Sequence, residues 1–257
     1  MIPVYVINLA RSADRRAFME NALAQADVSG EFVAAVDGRR CRAPGARAIS
    51  TAETALILSH RKVWRRFLRG AAEYAVVLED DAHLGEGFAT LLAADWRAHS
   101  FDAVKLETMF HRVWLARRGG ALGARALHRL GSEHYGTAGY LVSRVGARKL
   151  LALTRGLDRP VDHALFGREA ARERRLRVLQ LVPAVVVQDN IHPDTSARRE
   201  LPTTLHESDR MLLADAARRG KPRGWARLVR EVLRFFDQAG RAARFFPAMR
   251  RARVPWR

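Results

Sequence analysis

Three consecutive carboxylates, Glu79-Asp80-Asp81, are the residues best suited to chemistry in this chain. They follow Tyr74-Ala-Val-Val-Leu78, a short apolar run that reads as a buried strand. Like charges packed side by side repel, so an ordered cluster needs a counter-charge. A divalent cation would supply it, and Mg²⁺ or Mn²⁺ prefers oxygen ligands. The carboxyl end of a strand in an open α/β sheet is also where ligands usually sit. The same three acids equally suit an acidic turn capping the next helix, and the segment alone favours neither reading.

Little else competes with this cluster. The sequence lacks a Gly-rich phosphate loop of the Walker or dinucleotide type, Gly-x-Ser-x-Gly and His-Glu-x-x-His. Its single cysteine, Cys41, excludes an intramolecular disulfide and a thiolate zinc site, and it fits a reducing compartment. The first residues lack a basic region and a cleavage site, so the chain is expected to start on a strand rather than a signal peptide. The formal net charge is +18. Residues 210–257 hold 14 Lys and Arg against three acids, a net of +11, which leaves +7 for the other 209 residues. Such a balance points to a polyanionic partner: an anionic membrane, nucleic acid or a phosphorylated substrate. Nucleic acid is the weaker reading, because no reader motif is present and the acidic cluster would repel it.

The elements that must position the cluster alternate between strand and helix, which argues for an α/β sheet. Strands are expected at Val4 to Leu9, Glu31 to Val36, Phe101 to Leu106, Thr137 to Val142 and, split at Pro183, Leu176 to Val187. Ser12 is a plausible N-cap for a helix to Ala26. Ser50 with Glu53 makes a capping-box pattern, opening a helix that should end at Gly70. Residues 39–49 read as a loop, and Arg144 to Leu153 as a helix. Val113 to Leu130 reads as a hairpin-like insert broken at Gly119-Gly120. In the tail, Trp225, Leu228, Val229, Val232, Leu233 and Phe236 recur at helical spacing, with Arg223, Arg227, Arg230 and Arg234 between them. Phe245, Phe246 and Trp256 extend its aromatic content. That is a basic amphipathic helix suited to an anionic bilayer surface, although its stripe would equally pack on its own domain.

Five segments, in order across residues 3 to 190, resemble glycosyltransferase family 25, which includes lipooligosaccharide galactosyltransferases of Gram-negative bacteria and collagen galactosyltransferases. They are Val6-Ile-Asn-Leu-Ala-Arg-Ser-Ala-Asp-Arg-Arg16; Leu58-Ser-His-Arg-Lys-Val-Trp64; Val77-Leu-Glu-Asp-Asp81, similar to the family's Asp-x-Asp motif; Gly136-Thr-Ala-Gly-Tyr-Leu-Val-Ser143 with Gly146-Ala-Arg-Lys-Leu-Leu151; and Pro160-Val-Asp162. Ala55-Leu56-Ile57 stands where the family pattern has Gly-Cys, and the tail beyond about residue 200 falls outside the resemblance.

The resemblance implies a GT-A-like nucleotide-sugar fold in residues 1–200, with a central mixed sheet flanked by helices; composition and spacing alone put a basic helical tail after it, at 201–257. It implies a metal-dependent inverting transfer, commonly of galactose from UDP-galactose to a glycolipid or oligosaccharide acceptor. Mn²⁺ or Mg²⁺ would be held among Glu79, Asp80, Asp81 and His192, with Asp81 favoured for metal and Asp80 for ribose. Asp162 is the candidate base for the acceptor hydroxyl; it also suits a helix N-cap. Asn8, Arg11 and Arg15 would meet the uridine and diphosphate, and His60 would orient a nucleotide or acidic group. Lys105 would pair with phosphate or with the acidic cluster, and Gly139 and Tyr140 would shape the sugar pocket. The enzyme would work on the cytoplasmic face of the bacterial inner membrane, with residues 210–257 on the anionic lipid. A catalytically inactive sugar-nucleotide-binding module is the remaining alternative.

Overall fold

The computed structural model describes residues 2–41, 49–167, 176–199 and 247–257. The first strand, β1 (Val4–Asn8), is buried on both faces because its alternate side chains feed two cores. Val4 and Val6 pack with Met19 and Leu23 of α1 (Ala13–Gln25), whereas Tyr5 and Ile7 pack with Ile57, Val63, Trp64 and Phe67 of α2 (Thr51–Arg69). Each such side chain contributes about 1.5–3 kcal/mol by leaving water. The N-terminus of α2 is fixed by the expected capping box: Glu53 N–H donates to Ser50 Oγ (3.1 Å), and Ser50 N–H donates to the Glu53 carboxylate (2.9 Å).

After β2 (Glu31–Ala34), the strand β3 (Tyr74–Glu79) carries the acidic run, and β4 (Ala82–Leu84), α3 (Phe88–Leu92) and β5 (Ala103–Lys105) follow. A long hairpin, β6 (Arg112–Leu122) and β7 (Arg125–Leu130), precedes β8 (Gly139–Ser143), α4 (Arg144–Leu153) and α5 (Val161–Phe166). The last strands are β9 (Val178–Val182), β10 (Val186–Gln188) and β11 (Met249–Arg253). One mixed sheet runs β11-β6-β7-β9-β5-β8-β3-β1-β2, and β10 pairs with β4 in a small second sheet. β2, β1 and β3 are parallel; β8 then lies antiparallel between β3 and β5. Glu79 therefore ends β3 beside Asn8 at the end of β1. Among the described residues, no helix is long and apolar enough to cross a membrane.

Two expectations need correction. The β6–β7 turn lies at Gly123, with φ +57°, and not at Gly119-Gly120. Those two glycines sit inside β6, where a Cβ would come within 2.7 Å of the His128 ring and 2.8 Å of the His99 ring. They mark close packing rather than a break. The expected basic helical tail also ends differently. Residues 249–253 join the main sheet as β11, antiparallel to β6; Val254 is fully buried, and the Arg257 N–H donates to the Ala184 carbonyl (3.1 Å). The helical pattern at 225–236, with Phe245 and Phe246, lies outside the described residues.

Gly139 was expected in the sugar pocket. It is instead buried in β8, where a Cβ would come within 2.6 Å of Val186 on β10. Gly139→Ala should cost about 1–3 kcal/mol by overpacking, read as a lowered midpoint in urea. A neutral result would mean that β10 yields.

Candidate active site

Asp80 is the organiser of the strand-end cluster. Its carboxylate is buried and accepts from Asn8 Nδ2 (2.8 Å) on one oxygen and Arg15 Nε (2.7 Å) on the other. Asn8 ends β1 and Arg15 lies in the first turns of α1, so the opening strand–helix unit exists here to hold an acid. Arg15 also reaches Asp81 Oδ2 (3.1 Å). Both Asp80 oxygens are thus engaged by protein. Arg11 pairs with Asp37, three residues past β2, and does not join the cluster.

Asp81 is different. Its Oδ1 is buried without a hydrogen-bond partner. Burial first, then the charges of Glu79, Asp80 and Glu107, push its carboxyl up to about 7 against the pull of Arg15. A buried carboxylate oxygen with nothing to satisfy it invites a cation.

Glu79 is held from the other side. Trp64 Nε1–H donates to Tyr140 Oη (2.8 Å), and the Tyr140 hydroxyl is also hydrogen-bonded to His60 Nδ1 (2.9 Å). The other ring nitrogen, His60 Nε2, is buried and faces Glu79 Oε1 at 3.4 Å. The Thr137 hydroxyl donates to the same Glu79 oxygen. Burial raises Glu79, but the His60 ring, Thr137 and Arg15 outweigh it and hold the carboxyl below its ordinary value. Neighbouring carboxyls pushed in opposite directions are a mark of acid–base and ion-binding sites. Tyr140 is therefore fully buried beneath the site, orienting His60, and does not line a sugar pocket.

A narrow cleft opens between Glu79, Gly136, Thr137, Asp162, Glu53 and Gln188. Asp162 lies in the first turn of α5; Pro160 takes the N-cap position, and the Asp162 carboxylate accepts from His163 N–H (2.9 Å) and, at 3.4 Å, from Gly136 N–H. The structure thus brings the candidate base and Glu79, the first of the strand-end acids, to one opening.

A family model described as glycosyltransferase family 25 (LPS biosynthesis protein) matches residues 1–165, which include Asn8, Arg15, His60, the strand-end acids, Tyr140 and Asp162. The chain belongs to glycosyltransferase family 25. It is 34% identical over 239 residues to the lacto-N-neotetraose biosynthesis glycosyltransferase LgtB of Neisseria meningitidis, covering 85% of each protein. It is 33% identical over 207 residues to LgtE of Neisseria gonorrhoeae, covering 72% of this chain and 73% of that protein. Among solved structures, a glycosyltransferase involved in glycosylating the major capsid of PBCV-1 covers 73% of this chain and 91% of that one, with 10% identity and a TM-score of 0.41.

In this family 25 glycosyltransferase, two expected roles need correction. Lys105 is fully buried and spends its ammonium protons on Glu107 Oε2 (2.8 Å), Gly136 O (2.6 Å) and Tyr135 O (3.2 Å), leaving none for a phosphate. His192 does not join the acids. Its Nδ1 faces the Asp194 carbonyl (2.9 Å), and its ring lies against His83 and Trp256. His83 in turn meets Asp189 Oδ1 (2.8 Å), and the Asp189 N–H donates to the Asp81 carbonyl (2.9 Å). This histidine cluster braces the loop beside Asp81.

Among the described residues, no three His, Cys, Asp or Glu side chains form a ready-made metal cage. Mg²⁺-type sites commonly use one or two carboxylates and take their other ligands from substrate phosphates and water. The unpartnered Asp81 oxygen beside Glu79 fits that pattern.

Sequence reasoning missed Glu107, which is fully buried and pushed up to about 7 by burial despite Lys105. It also missed Thr137 and His134. Met109 N–H donates to His134 Nε2 (3.2 Å), so the His134 proton sits on Nδ1 and is given to Gln180 Oε1 (2.8 Å). Gln180 returns its amide protons to the Lys105 and Glu107 carbonyls. Burial, with Lys105 nearby, lowers His134 to about 3. The unfolded state therefore binds a proton that the folded state refuses between about pH 6.5 and 3, and stability falls as pH drops through that window. His134→Gln should flatten the acid limb of the urea stability curve between pH 6 and 4 by about one proton, or roughly 1.4 kcal/mol per pH unit. An unchanged slope would mean that His134 already titrates when folded.

Proposed function

We propose that this protein is a metal-dependent, inverting glycosyltransferase with a GT-A-like donor site, moving galactose from UDP-galactose to a lipooligosaccharide-type acceptor. The observation that carries the reading is the meeting of Glu79 and Asp162 in one cleft, with Asp81 and its unpartnered buried oxygen two residues beyond Glu79. The LgtB and LgtE relatives support the acceptor class through their lacto-N-neotetraose biosynthesis names. Asp81, with Glu79 beside it, would hold Mn²⁺ or Mg²⁺, which when bound neutralises the charge gathering on the departing diphosphate.

The chain's own residues do the rest. Asn8 and Arg15 fix Asp80, and Arg15 leans on Asp81, so the acidic edge is rigid before substrate arrives. His60 and Thr137 keep Glu79 ionised beside the oxocarbenium-like sugar carbon. Asp162 takes the acceptor hydroxyl proton. The acceptor oxygen then bonds to the anomeric carbon on the face opposite the departing UDP, whose bond to that carbon breaks. The test is UDP release over a panel of UDP-sugars, with Mn²⁺, with Mg²⁺ and with EDTA, in the presence of a lipooligosaccharide acceptor lacking terminal galactose. Metal-dependent release favouring UDP-galactose supports the reading, and no release with any donor sinks it. Asp162→Asn should lower kcat by about 10²–10⁴-fold with the donor KM little changed; a kcat within threefold of the parent would remove Asp162 as the base.

A further inference from the structure

Lys105 and Glu107 are fully buried and bonded to each other (2.8 Å) inside the protein. They alternate on β5 and its extension, so the pleat turns both toward the segment 135–138. Their bonds to that segment are dense. Lys105 Nζ donates to the Tyr135 and Gly136 carbonyls, and Glu107 Oε2 accepts the Ala138 N–H (3.1 Å). Glu107 Oε1, buried without a hydrogen-bond partner, lies 2.7 Å from where a Cβ on residue 136 would stand. Gly136 itself has φ +97°, a conformation that side chains rarely adopt. Four consecutive residues are thus gripped at three backbone atoms and one steric contact.

The same four residues touch both halves of the proposed chemistry. The Thr137 hydroxyl meets Glu79, and the Gly136 N–H faces Asp162. Tyr135 stacks on His163, the neighbour of Asp162, with ring centroids 4.4 Å apart. His134 and Gln180 lock the clamp from below through the Lys105 and Glu107 carbonyls. An uncompensated buried charge would be costly, so the pair stays together, and the segment it holds has little freedom to drift.

We propose that the buried Lys105–Glu107 pair is a positioning clamp for sugar transfer: it fixes segment 135–138 so that Thr137 and Gly136 set Glu79 and Asp162 at working separation across the cleft. The inference rests on the transferase reading above. Neither residue touches substrate, and both act through backbone.

A purely structural pair and a clamp respond differently to removal of both charges. Replacing a buried ion pair together by apolar residues of similar volume is often close to neutral for stability, whereas removing one partner is not. The experiment compares the parent, Lys105→Met, and the double variant Lys105→Met/Glu107→Leu, for thermal midpoint and for kcat and donor KM in the same UDP-release assay. The clamp predicts that the double variant recovers the thermal midpoint lost in Lys105→Met but stays about 100-fold low in kcat, with donor KM within about threefold, since small misplacements of reacting groups cost this much. Recovery of both midpoint and kcat would overturn the clamp and leave the pair structural. A double variant no more stable than Lys105→Met, with kcat falling only in step with the folded fraction, would overturn it too. A folded parent that releases no UDP from any donor would instead remove the transferase reading, and the clamp's role in transfer with it.

Discussion

Asp81→Asn should abolish most turnover while making the protein more stable. Asp81 is the strand-end acid with an unpartnered buried oxygen, so its charge is the one available to a cation. Losing it should lower UDP release by about 10²–10³-fold, the scale for removing one preorganised electrostatic partner. The stability change has the opposite sign. Asp81 holds its proton up to about pH 7 when folded, against an ordinary value of 3.8. The folded state therefore loses ground as pH rises from about 4 to about 7, and above that window it bears the full cost of a buried charge. A three-unit shift would correspond to about 4 kcal/mol. With 24% of the side chain open to solvent, about 2 kcal/mol is the more reasonable expectation. In cation-free buffer, Asp81→Asn should thus raise the urea midpoint at pH 8 and leave it nearly unchanged at pH 4. Lowered stability at pH 8 together with unimpaired turnover would place the functional charge elsewhere.

Arg15→Met should have the largest effect on the fold. Among the described residues, Arg15 is the one cation in ion-pair contact with Asp80 and Asp81, and its side chain is 9% exposed. Truncating one partner of a buried charge cluster leaves the others uncompensated, which typically costs about 3–5 kcal/mol. Two acids are stranded here, so the upper end of that range is expected at pH 7.5. Protonation of the stranded acids should recover part of the loss near pH 5. Arg15→Lys should fall between, because an ammonium cannot serve both carboxylates with the planar geometry of a guanidinium. A loss below about 1 kcal/mol would mean that Asn8 and the backbone hold Asp80 unaided.

The parts of this site legible in the sequence are those set by local rules. Buried strands announce themselves as apolar runs, and the Ser50/Glu53 cap needs only three residues of spacing, so β1, β3 and α2 emerge nearly as expected. The acidic cluster follows from a strand ending in three carboxylates. What stayed hidden depends on tertiary partners. Lys105 inside an apolar strand was open to pairing with phosphate or with the acidic cluster because its partner, two residues on, lies just past the expected strand end at Leu106; the period-2 spacing of Lys105 and Glu107 was the available signal. Tyr140 and Gly139 lie next to the site in sequence but face inward, a difference that only the packing of α2 and β10 decides. β11 reads Met-Arg-Arg-Ala-Arg, with no alternation to mark a strand, because its pairing with β6 supplies the order.

The return of β11 to the sheet also bears on how the molecule is made. Its hairpin partner is complete at Leu130, but Met249 emerges about 120 residues later, roughly 6 to 24 s at usual synthesis rates. Throughout that interval β6 lacks the strand that covers its outer edge in the finished sheet. Arg112, Arg117 and Arg118 are spaced along that edge and remain solvent-facing in the finished protein. Charges so placed repel another copy of the same edge, and they guard the nascent chain against aggregation until its own last strand arrives.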